Sequence, residues 1–206
     1  FQAPCKFFLW LVQALKPHIV ELHLNDHDLD AADELRRLLP TFEGLQFSLH
    51  CPEYYHGKLL DICSPDEATR QWSVGIIRRC GELAGMLAEH FPDSAPPNLI
   101  IHPGAASFDG FVEDKGPLAE AFARSVEELR DLPGCRPLYE NLPPYPWYFG
   151  GQWFGNYFCA PEEIVEACEK LGISICFDTS HAQLYCAHAG AELGAFLQAV
   201  KPYIRY

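Results

Sequence analysis

Ile173-Ser174-Ile175-Cys176-Phe177-Asp178-Thr179-Ser180-His181-Ala182 is a strand-length apolar run that closes on an aspartate, with a histidine three residues further on. Strands apolar on both faces belong to parallel sheets covered by helices. A carboxylate at the end of such a strand is costly unless it is paired, hydrogen-bonded or metal-bound. The same grammar recurs upstream. His50 follows the run Leu45 to Leu49, His102 follows Asn98 to Ile101, and Glu140 follows Pro137 to Tyr139. Ile19 to Leu24 supplies one earlier strand, and Tyr203 onward reads as the opening of a sixth.

Between these runs, Ala31 to Leu39, Glu67 to His90, Leu118 to Leu132, Pro161 to Leu171 and Ala191 to Val200 place apolar residues at helical spacing. Ser64-Pro65-Asp66-Glu67 and Ala160-Pro161-Glu162-Glu163 carry the proline and acids that suit a helix start, and Gly172 sits where a C-cap glycine belongs. The greasy segment Phe7 to Val12 is too short to span a bilayer and reads as a helix turn packed on a core. Alternating strand and helix without a linker-like shift in composition predicts one α/β domain over residues 1–206.

In a parallel β/α barrel every strand C-terminus opens on the same face, so groups tens of residues apart meet there. His50, His102, Glu140, Asp178 and His181 are therefore expected to converge. Any one histidine after a strand is ordinarily a cap or a satisfied core residue. Two histidines and two carboxylates at successive strand ends, with a further histidine beside them, instead suit Zn²⁺ or Mn²⁺ better than an all-oxygen Ca²⁺ cage. Glu21 and His23 alternate with Val20, Leu22 and Leu24, and are read as polar lining of the barrel interior or mouth.

The chain of 206 residues carries Lys+Arg 15 against Asp+Glu 28, a formal net charge of -13. That balance disfavours nucleic acid as a partner. The strand-end segments His50 to Ser64, His102 to Gly116, Asn141 to Ala160 and Ser180 to Gly190 offer only Lys58 and Lys115 as fixed cations. Nine scattered cysteines without a C-x-x-C pair fit a reducing, cytoplasmic setting. No Ser-His-Asp order, dinucleotide fingerprint or phosphate loop is present.

The strings His50-Cys51-Pro52, His102-Pro103-Gly104, Glu140-Asn141 and Asp178-Thr179-Ser180-His181-Ala182, in that order, resemble the strand-end motifs of the xylose isomerase-like TIM barrels, which include sugar isomerases, epimerases and endonuclease IV. Leu60-Asp61-Ile62-Cys63-Ser64-Pro65 before a long helix looks like the endonuclease IV-type second loop. The resemblance implies a (β/α)8 barrel, here partial with five to six units and incomplete at its C-terminal end. An open sheet edge would then be covered by a partner chain, as in a homo-oligomer, or be aggregation-prone.

It also implies that Glu140 and Asp178 are metal ligands and His181 a ligand or substrate contact, with Glu140 and His181 as the catalytic pair. His50 and His102 would be ligands only in the multi-metal, endonuclease-like variant. Mg²⁺ and Co²⁺ join Zn²⁺ and Mn²⁺ as candidate ions. The implied activity is metal-dependent isomerisation or epimerisation of a sugar or sugar-like polyol. The alternatives are zinc-dependent phosphodiester hydrolysis, or a barrel that binds without turnover.

Pro143 to Phe158 crowds eight aromatic residues into a loop with glycines. It reads either as a lid over a carbohydrate-like substrate, with Asn141, Trp147 and Trp153 as contacts, or as a small satellite core of its own.

Overall fold

The computed structural model describes residue 10, residue 12 and residues 14–206; the helix turn expected over Phe7 to Val12 lies outside the described residues as a segment. Five strands form one sheet: β1 (Ile19–His23), β2 (Gln46–His50), β5 (Asn98–Ile101), β7 (Arg136–Glu140) and β11 (Ile175–Cys176). Their order across the sheet is β1-β2-β5-β7-β11, and every pairing is parallel. At the far edge Ile204 bridges Ile175 in parallel, so the expected sixth strand is present as one bridge rather than a ladder.

Register explains why some polar residues face inward. His23 pairs with His50, Glu21 with Ser48, and Cys176 with Glu140. Side chains alternate along a strand, so these residues share one face of the sheet, and Leu49, Leu99, Ile101, Tyr139 and Ile175 occupy the other. That second face packs beneath the helices as the main core. Phe122 shows how it is built: fully buried on the helix Gly116–Leu129, it meets Tyr139 edge-on at 5.1 Å and Phe158 at 5.3 Å. Burying an aromatic or branched side chain there contributes about 1.5–3 kcal/mol.

The helices, in chain order, are α1 (Asp26–Asp30), α2 (Ala32–Leu38), α3 (Glu67–Leu87), α4 (Gly116–Leu129), α5 (Pro161–Leu171), α6 (Thr179–Ala189) and α7 (Leu193–Val200). Asp66 caps α3 by accepting from the Thr69 N–H at 2.9 Å. Gly172 ends α5 in the left-handed conformation (φ 66°). The stretch Ala31 to Leu39 is thus only part of a helix pair, and α6 occupies a region that periodicity left unassigned. No helix among the described residues is long and apolar enough to cross a membrane.

Short antiparallel pairs dress the strand C-termini. β3 (Tyr54–Tyr55) pairs with β4 (Lys58–Leu59), and β8 (Trp147–Tyr148) with β9 (Gly151–Gln152). β6 (Ala106–Ser107) pairs with β10 (Phe154–Gly155), which ties the loop after β5 to the aromatic loop after β7.

Candidate metal centre

Glu140, the last residue of β7, is buried and faces the barrel interior. Its carboxylate stands among three imidazoles: His50 Nε2 lies 3.2 Å from Oε2, while His102 Nε2 at 3.5 Å and His181 Nδ1 at 3.3 Å approach Oε1. Asp178 Oδ1 is 3.9 Å from His181 Nδ1. Five residues from four strand ends therefore meet, because the parallel strands deliver them to one mouth. Two overlapping groups have ligand atoms within 4.8 Å of one another: His50, His102 and Glu140, and Glu140, Asp178 and His181.

The donor set fits a cation. His50 Nδ1 lies 2.7 Å from the Cys51 carbonyl, which can only accept, so the ring proton belongs on Nδ1. A neutral His50 then aims the Nε2 lone pair at a carboxylate oxygen 3.2 Å away, which is repulsive unless a proton or a metal ion stands between them. His181 Nδ1, the nitrogen that approaches Glu140, also lies 2.9 Å from the Asn141 carbonyl, which leaves Nε2 as the ring nitrogen a cation could take. Ring nitrogens tied to backbone carbonyls are the usual outer support of metal-bound histidines. His102 is stronger still as an observation, since both ring nitrogens are buried without a hydrogen-bond partner.

Electrostatics agrees with the geometry. Burial pushes the Glu140 carboxyl upward, but the His102, His181 and His50 imidazoles outweigh it and hold the group far below the usual carboxylate range. Burial also works against charge on His50 and His181, and the Glu140 carboxylate reverses it, raising both.

Asp178 has a structural task beside any metal. It caps α6, with Oδ1 accepting from the His181 N–H at 2.7 Å, so the cap fixes the backbone that carries His181. Asn141 is turned toward the backbone of Asp178. It is fully buried, its amide donates to the Asp178 carbonyl at 2.9 Å, and its Oδ1 accepts from the Asp178 N–H at 2.8 Å. These two bonds clamp Asp178. Trp147 is 68% exposed and lines neither cavity described below, whereas Trp153 does line one. The satellite-core reading of the aromatic loop holds for Tyr157 and Phe158, both buried.

Sequence reasoning left out three neighbours. His23 stacks on His50 at 4.5 Å with the rings nearly parallel (6°), and its Nε2 pairs with Glu21 at 2.7 Å. Glu53 Oε1 stands 3.7 Å from His102 Nδ1. Asp61 Oδ1 accepts from the Cys63 and Ala105 N–H groups, binding the second loop to the His102-Pro103-Gly104 turn. Burial pushes Asp61 up to about 6 despite those two donors. The alternation of Glu21 and His23 with apolar neighbours placed His23 at the mouth without making it a ligand, Asp61 stood in the quoted second-loop string without a role, and Glu53, in an irregular loop, carried no signal.

Two cavities open at this mouth. One of about 410 Å³ contains the imidazole and carboxylate cluster. The other, about 470 Å³, lies beside it, and Glu53 and His102 belong to both walls.

Residues 12–206 match the xylose isomerase-like TIM barrel family, and the chain belongs to that family. Among solved structures it is similar to a D-tagatose 3-epimerase-like protein (TM-score 0.60, 20% identity, 90% of this chain and 63% of that one). It is also similar to the apo 3-keto-D-glucoside 4-epimerase YcjR from E. coli (TM-score 0.56, 12% identity, 87% of this chain and 64% of that one). At such identities the likeness concerns the fold, and the chain spans less than two thirds of either structure's length. No curated protein sequence matches it.

Proposed function

We propose that the chain carries the metal-binding mouth of a divalent-metal-dependent sugar isomerase or epimerase. The observation that carries this reading is the buried Glu140 carboxyl group held among His50, His102 and His181 beside Asp178. Glu140 and Asp178 supply the negative charge and His181 the nitrogen of one ligand group; His50 and His102 complete the other. A divalent ion bound there supplies Lewis acidity toward a carbonyl and its neighbouring hydroxyl. Zn²⁺ and Mn²⁺ suit this mixed nitrogen and oxygen set best, with Co²⁺ and Mg²⁺ as alternatives.

The chain's own groups prepare the site. Asn141 clamps Asp178, Asp178 caps the helix that carries His181, and the Cys51 carbonyl fixes the His50 tautomer. The two ligand groups that share Glu140 also favour a second reading, hydrolysis of phosphodiesters by clustered ions. Net charge -13, with Lys58 and Lys115 the only fixed cations in the strand-end segments, weighs against a duplex substrate.

The test is to load the full-length gene product with Mn²⁺, Co²⁺ or Zn²⁺, then measure bound metal and assay a panel of ketoses, aldoses and cyclic polyols beside an abasic duplex. Interconversion of at least one sugar without strand cleavage is expected. Cleavage together with salt-sensitive duplex binding promotes the hydrolase.

A further inference from the structure

The second cavity holds what a sugar ring needs and almost nothing that the metal cluster needs. Of the cluster it shares only His102. Its walls bring together Trp153, Tyr148 and Phe149 with the carboxyl of Asp61 and the ammonium of Lys58. Trp153 is held as a fixed platform: its indole N–H donates to the Tyr148 carbonyl at 3.2 Å, its backbone N–H to Pro146 at 2.8 Å, and Phe108 meets it edge-on at 5.5 Å. Phe149 is braced in turn by Tyr54 at 5.3 Å. Asp61 Oδ1 is occupied by two backbone donors, which leaves Oδ2 as an acceptor for hydroxyls on the cavity side. Flat, rigid aromatic surface with a few polar groups at its border matches the alternating apolar faces and hydroxyl edge of a pyranose.

Charge narrows the ligand further. The cavity carries two carboxylates, Glu53 and Asp61, against one ammonium, and Lys58 Nζ already sits 4.4 Å over the Trp72 ring. A phosphate placed there would meet more repulsion than attraction, so an uncharged ring fits better than a sugar phosphate.

His102 and Glu53 belong to the walls of both cavities, and His102 stands 3.5 Å from Glu140 and 3.7 Å from Glu53. Glu140 lines one cavity and Trp153 the other, so a ligand seated at Glu140 meets the Trp153 platform by extending into the second cavity.

Resting on the sugar reading above, we infer that the preferred substrate is an uncharged glycoside or disaccharide, whose reacting ring sits at the Glu140 cluster and whose second ring lies on Trp153 beside Asp61. The platform then contributes affinity that a free monosaccharide cannot use.

Calorimetric titration of the metal-loaded full-length protein with ketohexoses, their glucosylated disaccharides and their phosphates tests this. The disaccharide should bind about tenfold more tightly than its parent ketose. Trp153→Ala should erase that difference, and Trp153→Phe should restore much of it. Equal binding of ketose and disaccharide by the unaltered protein overturns the second-ring inference and leaves the sugar reading standing. Tighter binding of the phosphate overturns it in favour of an anion subsite. Absence of binding by every carbohydrate overturns the sugar reading and this inference together.

Discussion

Replacing Gly104 with alanine probes the turn on which both cavities depend. Gly104 has φ +95°, and a Cβ built there would lie 2.6 Å from both Asp61 Cα and Asp61 Oδ1. The left-handed conformation costs an alanine about 1–2 kcal/mol, and forcing a methyl against packed backbone adds about 1–3 kcal/mol. Since backbone rather than a flexible side-chain tip blocks the way, relief requires moving the second loop. That movement strains the Asp61 bond to the Ala105 N–H (2.8 Å) and the Ile62 N–H bond to the Pro103 carbonyl (3.1 Å). The total is about 3 kcal/mol.

Gly44 is the control, because its φ is +70° and no atom lies within 4 Å of its built Cβ. Gly44→Ala should cost only the conformational share, about 1 kcal/mol. In urea titrations, with slopes near 2 kcal/mol per molar, Gly104→Ala should lower the midpoint by roughly 1 M more than Gly44→Ala does. Equal midpoint losses in the two variants would refute the contact argument.

Other expectations follow from the same geometry. Because the folded pKa of Asp61, about 6, lies above the unfolded 3.8, folding favours its protonated form, so this group's contribution to stability falls as pH rises through that window. Asp61→Asn keeps the Oδ1 acceptor and should remove that part of the slope; parallel melting-temperature profiles from pH 4 to 7.5 for both proteins would contradict it. Asp178→Asn should preserve the α6 cap, since asparagine caps well, yet weaken divalent binding by roughly 100-fold or more, as read by equilibrium dialysis alongside helix content; undiminished metal binding would remove Asp178 from the ligand set. Phe122→Ala should cost about 4 kcal/mol in chemical denaturation, and a loss below about 1 kcal/mol would mean the α4–β7 packing is wrongly described.

What was legible in the sequence was what repeats. Strands β2, β5 and β7 announce themselves as apolar runs, and parallel pairing turns the residue after each run into a neighbour of the others, so the meeting of His50, His102, Glu140, Asp178 and His181 needed only the fold class. Helix α6 was missed because its apolar face is short and small: Ala182, Tyr185 and Cys186 stand at helical spacing, while Leu184 falls off that face and is 54% exposed. The short pairs β3–β4, β6–β10 and β8–β9 arise from contacts between loops distant in sequence, which local pattern does not encode. Asn141 illustrates the remaining gap: its two bonds to the Asp178 backbone join segments 37 residues apart, which local pattern does not encode.

The β6–β10 pairing has a consequence for how such a mouth can change over evolution or in the laboratory. Phe154 faces Ser107 and Gly155 faces Ala106, while Asn156 reaches across to the Ala105 carbonyl and the Ser107 hydroxyl. The Gly155 position admits no side chain, since a Cβ there would fall 2.4 Å from the Pro143 carbonyl. Two loops that leave different strands are thereby sewn into a single panel. Grafting either one alone onto another barrel would tear the seam, so a change of specificity made through Trp153 has to travel with its partner segment around Ala105–Ser107 as one exchangeable cassette.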